Sequence, residues 1–187
     1  MRNDITNFKL SELTEPKFIH TSLARYEQNG IHKDWEIVKA HDSVAILIYH
    51  RDRDAFVLVK QFRPAVYLNN NDGTTVELCA GIVDKELSLE QIASEEVEEE
   101  CGYRVASSEL ELITSFYTSV GFAGSKQALY YCEVDESMRV SDGGGVDAEQ
   151  IEVIHLPTPQ AQSFILDTTI AKTPGLMFAF MWWSSSR

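Results

Sequence analysis

The chain has 187 residues, 44% of them hydrophobic and 24% charged, enough for one compact domain with a small appended element. Lys+Arg 16 against Asp+Glu 29 leaves a formal net charge of -13, which opposes general binding to nucleic acid or to anionic membranes. The longest apolar runs, 44–49 and 176–183, fall far short of the ~20 residues of a membrane helix, and the opening MRNDITNFKL lacks the apolar stretch of a secretory signal.

Asn29-Gly30 is a hairpin signal between extended stretches near residues 19–26 and 35–39. SVAILIY (43–49) and AFVLVKQF (55–62) read as strands around a turn at 51–54. LNNNDG (68–73) reads as a polar loop, and TTVELC (74–79) as a short strand entering Ala80-Gly81. The strongest helix covers 89–101. Ser88 is its N-cap, Gln91 completes a capping box, and Gly102 stops it. Leu89, Ile92, Ala93 and Val97 recur at helical spacing and form its buried stripe. Residues 110–117, 128–134 and 151–156 suit strands. Between the last two lies VSDGGGVDA (140–148), a Gly-rich loop expected to be mobile. Residues 159–166 and 174–183 suit helices, each with Pro near its start. Many strands and few helices in mixed order predict an α/β domain, a mixed sheet covered by helices.

Cysteines 79, 101 and 132 are odd in number and lie in apolar surroundings, which predicts reduced core thiols and a cytoplasmic protein. The five histidines show no zinc-ligand spacing. Acidic residues crowd the central helix. Between 84 and 100 stand Asp84, Glu86, Glu90, Glu95, Glu96, Glu98, Glu99 and Glu100 against the single cation Lys85. Glu96 and Glu100 share a face, as do Glu95 and Glu99, and like charges at that spacing repel. They also occupy the C-terminal half, where the helix dipole disfavours anions. Two readings fit: a solvated acidic surface, or carboxylates set out as hard oxygen ligands for a divalent cation.

The frame around the acids is specific. Gly81, Glu96, Val97, Glu99, Glu100 and Gly102 fall without insertion on the pattern G-x5-E-x7-R-E-U-x-E-E-x-G-U, where U is aliphatic, and so resemble the Nudix box. Tyr103 stands at the last apolar position. Leu87 replaces the first Glu of the pattern and Glu95 replaces its Arg. RYEQNG (25–30), LVKQFRPAVY (58–67), TTVELCAG (74–81), GFAGSKQ (121–127) and IEVIHLP (151–157) are similar to the nucleoside diphosphate sugar branch of the Nudix hydrolases, a likeness that spans about 24 to 183.

That resemblance implies an α/β/α sandwich with a mixed sheet and an N-terminal antiparallel hairpin. Residues 1–40 would serve dimerisation and substrate contact, and 41–187 would form the hydrolase domain. It implies Mg²⁺-dependent hydrolysis, with Mn²⁺ as substitute, of the diphosphate of a UDP-sugar. UDP-glucose would give UMP and glucose 1-phosphate, and ADP-ribose or an ADP-sugar is the rival substrate. The departures at Leu87 and Glu95 leave open a Nudix-fold nucleotide-binding module without turnover. By the same resemblance, the Ala80 carbonyl, Glu96 and Glu100 are metal ligands, and Glu99 is a further ligand or holds the attacking water. Glu149 is the metal-binding or general-base glutamate of the Gly-rich loop. Arg63 grips the diphosphate, Glu77 is a buried acid near the substrate, and Trp35 packs on the nucleobase. The family assembles as homodimers. The chemistry is consistent with these roles: hydrolysing a diphosphate needs neutralised phosphoryl oxygens and an acidified water, which two ions about 3.5–4 Å apart supply. The run Gly143-Gly144-Gly145 would let the loop close and bring Glu149 to the water.

Overall fold

The fold is organised around Ser43–His50 (β3), an apolar run that serves two cores at once. Val44, Ile46 and Ile48 face one side, and Ala45 and Leu47 face the other, all of them buried. This period-2 division is why the run carries no polar alternation: the strand is covered on both faces. The computed structural model describes residues 5–146 and 148–187.

Along the chain, His20–Gln28 (β1) and Ile31–Lys39 (β2) pair as an antiparallel hairpin, with Asn29 and Gly30 both at positive φ in the turn. Ala55–Phe62 (β4) follows β3, and Pro64–Asn70 (α1) leaves its end. Then come Thr74–Glu77 (β5), Cys79–Ile82 (β6) and Leu89–Cys101 (α2). Glu111–Thr118 (β7), Ser125–Val134 (β8) and Glu152–Pro157 (β9) complete the strands, and Ala161–Leu166 (α3) and Pro174–Ser186 (α4) complete the helices. The main sheet runs β5-β4-β3-β8-β7, with β6 on β3 and β9 on β4. The β3–β8 pair is parallel and the other named pairs are antiparallel, so the sheet is mixed. Ile92, Ala93 and Val97 of α2 cover one face. Ala161 and Ile165 of α3, with Leu176, Ala179 and Phe180 of α4, cover the other. The result is the expected α/β/α sandwich.

Three local readings change. The stretch 68–73 is not all loop: its first three residues end α1, which starts at Pro64 because a missing N–H costs nothing in the first helical turn. The strand expected over 74–79 breaks at Leu78. Its first part pairs with β4 (Val59 opposite Glu77) and its second with β3 (Ala45 opposite Ala80). β3 and β4 meet only through Ile48–Val57, Tyr49–Phe56 and His50–Ala55, and β5 and β6 fill the split between them. Before α3, Thr158–Gln160 forms a 3-10 turn rather than the first turn of the helix.

Candidate active site

The split in the sheet is where the acidic helix meets the backbone. Ser88 caps α2 as predicted, accepting from the Gln91 N–H while the Gln91 side chain accepts from the Ser88 N–H, and Gly102 ends it in the left-handed region. This fixes the direction of α2 and lays its C-terminal half along β6. The Ala80 N–H donates to Glu100 Oε2 at 2.9 Å. Gly81 makes the close approach possible: a Cβ built there would lie 2.6 Å from Glu96 Cγ and nearer still to its carboxylate.

The acids of α2 divide into two sets. Glu90 accepts from the Tyr130 hydroxyl at 3.0 Å, Glu95 pairs with Lys85 at 2.7 Å, and Glu98 receives both forks of Arg104 at 2.9 Å. Among the described residues, Glu96, Glu99 and Glu100 have no ion-pair partner. Burial and then the Glu99 charge push Glu96 up to about 7. Glu100 is only 5% exposed; burial pushes it up to about 8 against the opposing Ala80 hydrogen bond, with the Glu96 charge adding to the rise. Lys85 has a further effect. At the box position that usually carries Arg, the chain carries Glu95, and Lys85 meets it there. That corner therefore still holds a cation, whose charge reaches Glu99 and Glu96.

The donor set suits a divalent cation: buried and half-buried carboxylates with no direct ion-pair partner among the described residues, beside a glycine that leaves room for one of them. Among the described residues, no three Asp, Glu, His or Cys side chains already converge at ion-holding distance. Uncompensated like charges oppose such convergence, and a bound ion removes the repulsion.

Glu149 enters from the Gly-rich loop. Its Oε2 accepts from the Val146 N–H at 3.0 Å, so the carboxylate is turned toward its own loop, while its charge acts on both Glu96 and Glu100. Two of its glycines bond to the end of α2. The Gly144 N–H donates to Glu100 O at 2.9 Å and the Gly145 N–H to Glu99 O at 3.0 Å, so the loop caps the last carbonyls of α2. Gly143 has φ +68, and a Cβ on it would stand 2.8 Å from the Cys101 carbonyl carbon. The glycines thus permit positive φ and close contact, a requirement that composition alone did not separate from freedom to move.

Arg63 and Glu77 sit together beside the acids. Arg63 Nε donates to Glu77 Oε1 at 2.9 Å and Nη2 to Oε2 at 2.8 Å. Burial alone would raise the Glu77 carboxyl, but the Arg63 hydrogen bonds and charge and the Thr75 hydroxyl hold it below its ordinary value. Trp35 is held elsewhere: its Nε1 donates to Gly121 O at 2.7 Å, and its ring is 52% exposed. The hairpin that carries it also touches the body through the Val38 N–H and Phe122 O at 2.8 Å.

A cavity of about 380 Å³ adjoins the site, lined by Glu77, Ala80, Phe116, Tyr117, Gln127 and Pro174 among others. The sequence reading missed the last four. They come from the end of β7, the start of β8 and the start of α4, and no spacing in the chain announces that these elements meet.

No protein-family model matches the chain. It is 42% identical to the uridine diphosphate glucose pyrophosphatase NUDT14 of Bos taurus, over 86% of this chain and 85% of that one. It is 40% identical to the Mus musculus protein of the same name over the same shares. It is 35% identical to the GDP-mannose pyrophosphatase of Cronobacter sakazakii over 74% of this chain and 72% of that one.

Proposed function

Because the chain belongs to the Nudix family of nucleoside diphosphate sugar pyrophosphatases, we propose that its substrate is a UDP-sugar, with UDP-glucose cleaved to UMP and glucose 1-phosphate. The observation that carries the site is the division of the α2 acids. Glu90, Glu95 and Glu98 are satisfied within the protein, whereas among the described residues Glu96, Glu99 and Glu100 have no ion-pair partner, with Glu100 seated on the Ala80 N–H and Glu96 against Gly81. Divalent-metal dependence comes with the family, and we assign Mg²⁺, replaceable by Mn²⁺. Glu96, Glu100, Glu99 and the Ala80 carbonyl would hold the ion. When bound, it neutralises the phosphoryl oxygens and acidifies the attacking water.

The chain's own residues perform the rest. Arg63 offers its guanidinium to the diphosphate, and the cavity beside Ala80 receives a group attached to it. Water adds to one phosphorus, the bridging P–O bond breaks, and Glu149 takes the water's proton after its side chain swings from the Val146 N–H. We place this protein in the cytoplasm as a homodimer, with residues 1–40 as the dimerising and substrate-contacting part and 41–187 as the hydrolase part. The hairpin supports this reading. Leu23, Tyr26, Ile31, Trp35 and Ile37 are exposed on it, and a two-stranded ribbon is marginal in water without cover. Trp35 then packs on the nucleobase, supplied across the dimer.

Incubation with Mg²⁺ and, separately, UDP-glucose, ADP-ribose and GDP-mannose, followed by chromatography, tests the assignment. UMP and glucose 1-phosphate are expected from UDP-glucose. Cleavage of ADP-ribose alone makes the UDP-sugar assignment wrong, and no cleavage of any of the three favours a nucleotide-binding module. Light scattering at micromolar concentration that shows only a 21.1 kDa species refutes the dimer.

A further inference from the structure

Arg63 leaves the end of β4 as the N-cap residue of α1, and its backbone is fixed by its N–H donating to Gly73 O at 2.8 Å. Its side chain uses one edge of the guanidinium, Nε and Nη2, on Glu77. A guanidinium is planar and carries five N–H donors, so the Nη1/Nη2 end remains as a second fork, matched to two phosphate oxygens. The Arg63 side chain is 45% exposed, whereas Glu77 and Thr75 behind it are buried. The Thr75 hydroxyl donates to Glu77 Oε1 at 2.5 Å. Thr75 and Glu77 are two apart on β5 and share a face, so the strand itself sets their spacing. Glu77 is an anion that would repel a diphosphate, and both its oxygens are engaged by Arg63 and Thr75, so its place is explained by its hold on the guanidinium.

We propose that Thr75 and Glu77 are positioning residues for Arg63: the Thr75 hydroxyl orients the Glu77 carboxylate, which orients the guanidinium so that its free end presents to the substrate diphosphate. This assigns Glu77 a role through Arg63 and adds Thr75, and it rests on the reading that Arg63 grips the diphosphate. A freely rotating Arg would bind the same group more weakly, since the geometry must then be fixed at the moment of binding.

The test is a double-mutant cycle on UDP-glucose hydrolysis, with UDP binding followed by calorimetry. Thr75→Val keeps the shape and removes the donor. It is expected to raise KM and the UDP dissociation constant by about five- to tenfold with kcat within about twofold, while Thr75→Ser restores both. In an Arg63→Ala background, Thr75→Val is expected to add nothing. An unchanged KM for Thr75→Val beside a raised one for Arg63→Ala overturns the positioning role alone, as does a Thr75→Val effect that persists undiminished without Arg63. An unchanged KM for Arg63→Ala overturns the gripping role and the positioning role with it. If Thr75→Val does not fold, Glu77→Gln takes its place in the same cycle.

Discussion

Gly81→Ala separates metal binding from folding. The added methyl would meet the Glu96 side chain, with Cγ at 2.6 Å and the carboxylate closer. Ordinary contact begins near 3.4 Å, so the carboxylate must retreat by roughly 1.4 Å. Ligand distances are met within about 0.2 Å, so a methyl that bars the Glu96 carboxylate from the Ala80–Gly81 side is expected to weaken its coordination. The obstructing atoms are the far end of a flexible side chain, and φ at Gly81 is not in the left-handed region, so the fold bears little cost. Mn²⁺ titration by calorimetry should show a dissociation constant at least about tenfold weaker, since even residues that only orient a ligand are worth 10–100-fold. The metal-free unfolding midpoint should stay within about 4 °C of wild type, the shift that about 1 kcal/mol produces in a chain of this size. A folded Gly81→Ala protein that binds Mn²⁺ with wild-type affinity would refute the reasoning.

Three other outcomes follow from the same geometry. Glu100→Gln keeps an acceptor for the Ala80 N–H but removes a buried ionisable carboxyl next to Glu96. Hydrolysis should fall at least about a hundredfold while the metal-free midpoint holds or rises, and a variant that retains turnover contradicts the ligand role. Gly143→Ala forces a side chain into the left-handed region against the Cys101 backbone, at a cost of about 1–2 kcal/mol. Because it lifts the Glu149 loop off α2, kcat should drop more than Mn²⁺ affinity, and equal losses in both count against a separate task for the loop. His155 is held below its ordinary value by burial first and then by the Arg53 charge, with His50 and Arg139 adding and Glu136 opposing. A depressed histidine is neutral in the folded state, so its contribution is complete above about pH 6.5 and is lost as pH falls through the folded value. Urea midpoints at pH 7 and pH 5 should therefore differ less in His155→Gln than in wild type, and equal differences dismiss the effect.

The candidate site was legible where its signals are local. The capping box at Ser88 and Gln91, the stop at Gly102 and the acids four apart were readable because a helix converts sequence spacing directly into a shared face. Which acids were free was not readable. Glu95 and Glu98 looked like members of the same cluster as Glu96 and Glu99, and only Lys85 and Arg104, arriving from outside the helix, separate them. Arg63 and Glu77 were readable as individual candidates, but their mutual pairing was not. It depends on β4 and β5 lying side by side with Val59 opposite Glu77.

From the sequence alone came the α/β class, the main strands, the bounds of the acidic helix and the candidate carboxylates on it, because each of these is set within one turn or one pleat. Tertiary structure decided the split of β5 and β6 between two neighbours, the seating of Glu100 on the Ala80 N–H, the anchoring of the Gly-rich loop on α2, and the cavity that Phe116, Gln127 and Pro174 share. These features join residues as much as 130 positions apart (Ala45 to Gly175 around the cavity), and their energies exist only once the sheet has brought those residues within reach.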